Sequence, residues 1–432
     1  MTTRLELKID WLALFLLLVP TFYVLGMELR EVQGSFFQIA VFALIALIHC
    51  NRYIRCFLLI VLFQYLSFPN LPVSFYQVQG LFLGALAYHL IIRHVDFNKF
   101  KFYLWIMLGF LIFNCFWSVL QAWNVDPIFV IGNSDKQPDG FREYIGFFGL
   151  PAMFGNYGAV LLPISFALMP VSAGFCFLSL WLAKSTFSII AAVAGAAFFL
   201  WFRKRILFWI CTVAGIGVSI VYIFLTDMPS GQFGRRFDAW HKILIESFKK
   251  QWMGHGLGSL SQKYCFSEIT PTHKIRMTNT EPEMIGFIQE QAVLKDNQGV
   301  LKFISTIDPN KLDKSIVRPG MGKMLSDNLQ NFSMDLHVWK EAHNEFIQVF
   351  FELGIFALIA VVGYIVNLFR RFYLYGRKSP LCVTMGASFL ALVIVSFGHF
   401  PFHVARLATP FLVIAAFFDL GLLNAEGKTH RD

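Results

Sequence analysis

The sequence predicts an all-α, polytopic integral membrane protein with about twelve transmembrane helices and one large loop subdomain outside the bilayer. Three observations lead to this prediction. The 432 residues are 56% hydrophobic and only 15% charged, whereas about 25% of the residues in soluble domains are charged. The mean hydropathy is +0.59. Long apolar runs recur along the chain, and a single long polar tract, residues 227–345, separates them.

Apolar runs of membrane length justify the expected number of helices. A hydrocarbon core of about 30 Å needs about 20 mostly apolar helical residues. Such runs begin near Asp10, Gly34, Cys56, Tyr76, Phe102, Pro151, Pro170, Ser185, Ile206, Phe346, Pro380 and Ala408. We therefore expect a transmembrane bundle over 1–226, a loop subdomain over 227–345, and C-terminal helices with a cytoplasmic tail over 346–432.

Basic residues between the apolar runs set the expected orientation. The connections 51–55, 93–101, 202–205 and 370–378 fall on one side of the membrane when twelve helices are threaded in order. The positive-inside rule makes that side cytoplasmic. Both termini are then cytoplasmic and the tract 227–345 lies outside, in a bacterial periplasm or its equivalent. The net charge of +9 thus reflects topology, and no nucleic-acid partner is expected.

His343 lies where the polar tract meets an apolar helix, at the start of His343-Asn344-Glu345. A histidine at such a boundary is near water yet partly desolvated, which suits a general base that takes a proton from a hydroxyl. A capping interpretation competes, in which Asn344 only caps the helix. Glu352 follows nine residues after His343, about 180° around a straight helix, so we expect it to fix helix packing or a neighbouring polar group rather than share the reaction centre.

Several motifs resemble those of one known family. The string His343 to Ile347, followed by Glu352-Leu353-Gly354, resembles the signature of the bacterial O-antigen ligase and polymerase family. The Arg-xxx-Trp pattern within 234–240, the turn Gly254 to Ser259 and, more weakly, the glycine-rich segment 146–159 resemble further motifs of that family. These motifs occur in the family's order around one large loop, and the resemblance covers about residues 141–359.

The resemblance implies a metal-independent glycosyltransferase of the bacterial inner membrane. Such an enzyme moves a glycan from an undecaprenyl diphosphate carrier to an acceptor hydroxyl on the periplasmic face, as in lipopolysaccharide biosynthesis. The implied partners are this lipid-linked donor, membrane lipids and an acceptor that is lipid A core, another glycan or a protein. His343 is then the base, Asn344 orients the base or the acceptor, and no cofactor is expected.

Arginines are expected to stabilise the diphosphate leaving group, because a guanidinium donates two charge-assisted hydrogen bonds to it. Arg236 is the main candidate, with Arg235 beside it. Arg142 and Arg318 are further candidates, and for each the alternative is a side chain that reaches lipid headgroups. Many family members carry a Ser-Arg pair where this chain has Lys184, so either Lys184 supplies a point charge or the phosphate is held elsewhere.

The glycine-rich turn is a second candidate for phosphate binding. Gly256 and Gly258 give it the composition of a phosphate-cradling loop, but no Gly-Lys-Ser/Thr sequence ends it, and a simple tight turn is the competing interpretation. Glu352 joins these candidates for substrate binding through its place in the family signature. The histidines do not pair with carboxylates at metal-ligand spacing, so no metal is expected.

Three alternative functions stay open. A repeat-unit polymerase of the same family would share the donor, the base and the arginines, and would differ only in its acceptor. A polysaccharide or lipid transporter, or flippase, would also have about twelve helices, but it would place ionisable residues at mid-membrane depth. A non-catalytic membrane receptor is the third alternative, because the segment 260–335 matches no motif of the family.

Overall fold

The structure, a computed structural model, describes residues 52–67, 84–85, 87–93, 95, 99–122, 151–183, 185–209, 230–257, 259–262, 265–269, 274–278, 337–339, 342–399 and 405–427. Two compact units divide the chain. The bundle unit comprises Met1–Leu62, Tyr76–Asp227 and Ile359–Asp432, and the loop unit comprises Phe63–Phe75 and Met228–Leu358. The described residues are predominantly α-helical, as the sequence predicts.

The helices are, in chain order, α1 (Arg52–Ser67), α2 (Phe100–Ala122), α3 (Pro151–Leu168), α4 (Ala173–Ala183), α5 (Thr186–Arg203), α6 (Ser230–Lys249), α7 (Ser259–Gln262), α8 (Glu345–Leu353), α9 (Ile355–Arg371), α10 (Pro380–Gly398) and α11 (Ala405–Ala425). A 3-10 turn, Pro170–Ser172, precedes α4, and a π-helical turn, Phe372–Gly376, extends α9.

Four described helices are long and apolar enough to cross a membrane, namely Phe100–Gln121, Thr186–Arg203, Ile355–Gly376 and Pro380–Gly398. Shorter apolar helices occupy Ala152–Leu168, Pro170–Ala183 and Phe411–Ala425. All of them fall within predicted runs, and they support an integral membrane protein. The runs predicted near Asp10 and Gly34 lie outside the described residues, as do most of those near Tyr76 and Ile206. The number of about twelve spans therefore stays a prediction.

Small residues let the bundle helices approach closely, as is common where membrane helices pack. A Cβ at Gly158 of α3 would lie 1.8 Å from Ser179 Oγ of α4. A Cβ at Gly195 of α5 would lie 3.0 Å from the carbonyl oxygen of Ala387 in α10. These glycines allow close backbone approach between the bundle helices, and large buried aromatic side chains such as Phe154, Phe417 and Phe418 fill the rest of the bundle core.

Two polar contacts within the bundle unit join segments far apart in sequence. Ser185 Oγ, at the N-cap of α5, lies 3.1 Å from Nε2 of the buried His399 at the end of α10. Elsewhere in the bundle unit, Arg371 at the end of α9 pairs with Asp419 of α11 and, at 2.5 Å, with Glu426. In each case, the predicted threading places the partners on the same side of the membrane. The identity of each side stays a prediction.

The loop unit contains a small sheet that the all-α prediction does not include. Strands β1 (Cys265–Ile269), β2 (Lys274–Thr278) and β3 (His337–Trp339) pair antiparallel in the order β2-β1-β3. In β2, polar and apolar residues alternate, the period-2 pattern of a strand with one buried face. The short connection between β1 and β2, which contains Pro271, is typical of a hairpin.

The apolar run predicted to begin near Phe346 is two helices rather than one. Helix α8 ends at Gly354, whose φ of 81° few other residues adopt, and α9 starts directly after it. The membrane-length helix therefore begins at Ile355. Helix α8 belongs to the loop unit, which extends past the predicted boundary at residue 345 as far as Leu358.

Candidate functional site

Helices α6 and α8 form the core of the loop unit. Ala239 and Ile243 of α6 are buried against Phe351 of α8, and Ile347 packs on the same cluster. Ala342, in the segment just before α8, is buried in this cluster as well. The apolar contact fixes the N-terminus of α8, and the residues before it, against one face of α6.

A hydrogen bond joins α6 to the segment that carries His343. The indole Nε1 of Trp240 donates to the carbonyl oxygen of Ala342 at 2.7 Å. Arg236 lies four residues before Trp240 and so projects from the same face of α6. Arg236 thus lies one helical turn from one partner of this hydrogen bond, and His343 directly follows the other partner, Ala342.

The backbone of His343 is unusual. Among the residues that the structure describes, His343 alone combines a side chain with a positive φ, 48°. A non-glycine residue in this region costs about 1–3 kcal/mol and persists only where the surrounding structure fixes it. The half-buried imidazole is thus held outside the helix, at its mouth, by the contacts of its neighbours.

Asn344 is the N-cap of α8. Its Oδ1 accepts from the amides of Phe346 and Ile347, each at 3.1 Å. The capping interpretation of the sequence is therefore correct for Asn344. Because Oδ1 satisfies two amides at the start of the helix, Asn344 acts on His343 through the backbone that it fixes.

A buried polar stripe runs along α8. Glu345, Gln348 and Glu352, at helical spacing on one face, are all buried. The side chain of Gln348 accepts from the amide of Ala342 at 3.3 Å and donates to Glu352 Oε1 at 3.3 Å. The expectation that Glu352 projects away from His343 assumed that both lie on one straight helix, and His343 lies outside α8. Through Gln348, Glu352 is instead linked to the segment that bears His343.

The glycine-rich turn binds the end of α8. The amide of His255 donates to the carbonyl of Phe351 at 2.9 Å, and the amide of Gly256 donates to that of Glu352 at 3.0 Å. These bonds satisfy carbonyls that a helix end leaves without partners. Because the Gly256 amide is already engaged, it is not oriented toward a phosphate, which favours the tight-turn interpretation at this residue.

His255 is buried beside this contact. Its ring stacks on Phe351, with centroids 4.4 Å apart and an interplanar angle of 17°, and its Nε2 lies 3.2 Å from the carbonyl of Glu246. A carbonyl only accepts, so Nε2 carries the proton. Burial is the main cause that lowers the pKa of His255 below its ordinary value. The neutral imidazole is therefore the form that fits this environment.

Arg236 combines charge with burial. Its side chain is half-buried, and this desolvation lowers the pKa of its guanidinium below the ordinary value, although arginine stays charged in proteins. A cation that has already lost part of its hydration interacts strongly with an anion in a water-poor site. Its five donors match the planar oxygens of a phosphate group.

The other residues predicted for the site lie outside the described residues. These are Arg142, Lys184, Gly258 and Arg318, and for Arg235 only the helical backbone is described. Within the described ranges, no group of three or more His, Cys, Asp or Glu side chains is close enough to hold a metal ion.

Trp240 and Gln348 are the site residues that the sequence did not identify as such. Trp240 appeared only as part of a motif, with no contact assigned to it. Gln348 could have been found from helical spacing, because it lies between Glu345 and Glu352 on one face of α8. Both bind the backbone of Ala342, directly before His343.

The sequence matches no known protein-family model and no curated protein. The arrangement of residues in the loop unit, together with the motifs of the sequence, is therefore the basis for a functional proposal.

Proposed function

We propose that the protein is a membrane glycosyltransferase that moves a glycan from a polyprenyl diphosphate carrier to an acceptor hydroxyl, in the manner of an O-antigen ligase. His343 is the general base, and Arg236 stabilises the diphosphate leaving group. Lipid A core, another glycan or a protein side chain provides the acceptor hydroxyl. The reaction takes place on the periplasmic face of a bacterial inner membrane, without a nucleotide sugar or a metal.

The hydrogen bond from Trp240 to Ala342 is the observation that supports this proposal. It joins the helix that carries a partly desolvated arginine to the segment that carries a histidine in a constrained backbone conformation. A base and a cation held in one site would suit a reaction that deprotonates a nucleophile and releases an anionic leaving group.

The proposed reaction is one displacement. The acceptor hydroxyl gives its proton to the imidazole of His343, and its oxygen attacks the anomeric carbon of the lipid-linked sugar. The glycosidic bond to the diphosphate breaks as the new bond forms, so the anomeric configuration inverts. The electron pair of the broken bond leaves with the diphosphate, whose added negative charge Arg236 stabilises.

The test is transfer by the purified full-length protein from a synthetic polyprenyl diphosphate sugar to a hydroxyl acceptor, with no energy source present. We expect His343→Ala to lower the rate by about 10²- to 10⁴-fold, the usual contribution of a general base. Arg236→Ala should lower it strongly, and Arg236→Lys less, because lysine keeps the charge but loses the bidentate geometry.

His241→Ala is the matched control, because His241 is exposed on the same helix as Arg236. This variant should transfer glycan at the wild-type rate. Near-normal transfer by folded, membrane-inserted His343→Ala would reject the assignment of the base. An equal loss of activity in His241→Ala would show that the assay reports damage to α6 rather than chemistry.

The two alternative functions, a repeat-unit polymerase and a transporter, predict different experimental results. A polymerase would leave cells that lack the protein with a single capped repeat unit and no long polymer, whereas a ligase would leave unattached polymer. A transporter would show no transfer in the purified system. In the bundle unit, Arg371 forms ion pairs with Asp419 and Glu426 near the C-terminal ends of α9 and α11, whereas a transporter is expected to hold ionisable residues at mid-membrane depth.

A further inference from the structure

Helix α6 presents three different surfaces. At about 100° per residue, Ala239, Ile243 and Ser247 share one face, and all three are buried in the loop unit. Trp240 and Arg236 project from the same side of the helix. This surface contacts α8, and Phe248 beside it adds an edge-to-face contact with Phe350 of α8, with ring centroids 5.3 Å apart. Two further surfaces of α6 are largely exposed.

An apolar strip forms the second surface. The exposed fractions are 60% for Phe237, 49% for Ile245 and 60% for Phe248, and the three side chains lie within about 80° of one another. The strip continues past the end of the helix into Trp252, which is 60% exposed. The exposed His241 lies between Phe237 and Ile245 on the same face, so the strip is apolar apart from one histidine. Exposed apolar side chains of this size mark a surface that binds something other than water.

A basic strip forms the third surface. Lys242 and Lys249 are exposed and lie about 40–60° beyond the apolar strip. Lys249 also pairs with Glu246 at 2.5 Å. An apolar strip bordered by lysines is typical of helices that lie in the membrane interface, whereas lysine is depleted in the cores of protein interfaces.

The end of α6 is joined to a helix of membrane length. The amide of Ile355, the first residue of the span Ile355–Gly376, donates to the carbonyl of Gln251 at 2.8 Å. The rings of Trp252 and Phe356 lie 5.8 Å apart, and Phe356 is 52% exposed. Phe356 is the second residue of this candidate span, and the ends of membrane-spanning helices are the usual positions of aromatic anchors.

Helix α1 ends at the same turn. Gln64, in the last turn of α1, donates from its side-chain amide to the carbonyl of Met253. Met253 is itself half-exposed, next to Trp252. The turn after α6 thus binds both the end of α1 and the start of the candidate membrane span Ile355–Gly376.

We propose that α6 is an interfacial helix that rests on the lipid surface of the membrane that the protein spans. Phe237, Ile245 and Phe248 insert among the lipids, and Lys242 and Lys249 contact lipid phosphates. The occupant of the exposed strip is therefore membrane lipid, rather than a second protein. The ring of Phe237 lies 5.2 Å from that of Trp240, so the strip borders the candidate site. The inference nevertheless does not depend on the proposed reaction, because it concerns contact with lipid and not glycan transfer.

Site-directed spin labelling of the full-length protein tests the proposal. Ile245→Cys and Phe248→Cys place a nitroxide on the apolar strip, and Lys242→Cys and Lys249→Cys place it on the basic strip as matched controls, with the native cysteines replaced by alanine. The variants are reconstituted in vesicles of phosphatidylcholine and phosphatidylglycerol. Collisions of the label with oxygen, which concentrates in lipid, and with a water-soluble nickel chelate are measured by electron paramagnetic resonance.

We expect oxygen collisions to exceed nickel collisions at positions 245 and 248, and the opposite order at 242 and 249. Nickel collisions in excess at 245 and 248 would place the strip in water and overturn the proposal. Few collisions with both reagents would mean that a protein covers the strip, which also overturns it. Two positions on each strip keep the comparison decisive if one variant does not fold.

Vesicles of phosphatidylcholine alone test the part played by the lysines. The label at position 245 should lie less deep in these vesicles than in those that contain phosphatidylglycerol, because lysine contacts with anionic headgroups are lost. An equal depth would refute the proposed lysine contacts. None of these measurements depends on glycan transfer, so their failure would be distinguishable from failure of the proposed function.

Discussion

Gly254 and Gly354 lie so close together that neither has room for a side chain. A Cβ on Gly254 would lie 2.7 Å from the amide nitrogen of Gly354, and a Cβ on Gly354 would lie 2.9 Å from that of Gly254. Both residues have a positive φ, 69° and 81°. Two glycines a hundred positions apart thus fasten the turn after α6 to the junction of α8 and α9.

Gly254→Ala should destabilise the loop unit. The added Cβ would lie 2.4 Å from the carbonyl oxygen of Glu352, and a backbone atom cannot shift without moving the helix that carries it. Alanine in the left-handed region also raises the free energy of the folded state by about 1–2 kcal/mol. We expect a clear drop in the thermal unfolding temperature of the purified protein. Gly109→Ala is the control, because a Cβ there meets nothing within 4 Å, and an equal drop in both variants would contradict the clash.

Trp240→Phe should reduce glycan transfer without unfolding the protein. Phenylalanine keeps an aromatic ring at this position but leaves the carbonyl of Ala342 without its indole donor, a loss of about 1–3 kcal/mol for a buried acceptor. The segment that carries His343 would then be held less firmly, so the rate constant for transfer should fall more than the affinity for the donor. Trp252→Phe, at an exposed position, is the control. A wild-type rate constant in Trp240→Phe would show that this bond does not position His343.

The sequence predicted the parts of the fold that depend on local composition. The helices near Phe102, Pro151 and Pro380 were predicted correctly because an uninterrupted apolar segment of membrane length can form few structures other than a helix. The break at Gly354 was missed because apolar residues continue on both sides of it, so hydropathy does not change where the helix ends. The strand β2 was overlooked although its alternation is visible, because five residues are too few to stand out in a long polar tract.

The sequence could propose residues for the candidate site but not the contacts between them. His343 and Arg236 were proposed from motif and charge. The hydrogen bond that joins their segments links Trp240 to Ala342 across 102 residues, and periodicity in the sequence cannot indicate a contact at that separation. Glu352 binds a neighbouring polar group, Gln348, as expected, but the angle predicted between Glu352 and His343 does not apply, because His343 lies outside the helix.

Gln348→Leu should destabilise α8 and the segment before it. Leucine has nearly the same volume but removes the acceptor for the amide of Ala342 and the donor to Glu352. Each buried polar group left without its partner costs about 1–3 kcal/mol. Hydrogen exchange of the amides of α8 should become faster in this variant. Glu352→Gln keeps an oxygen that accepts from Gln348 and should show a smaller change; an equal or larger change there would contradict the proposed link.

The stability of the loop unit should fall as the pH falls below about 6.5, the ordinary pKa of histidine. Burial lowers the pKa of His255 in the folded protein, so below this pH the unfolded chain binds a proton that the folded protein does not. The contribution is complete above the unfolded pKa and is lost progressively toward the folded pKa. His255→Gln, which keeps a donor for the carbonyl of Glu246, should flatten the dependence of the unfolding temperature on pH in this range. His241→Gln, at an exposed position on α6, should retain the wild-type slope, and an unchanged slope in His255→Gln would assign the acid sensitivity to other groups.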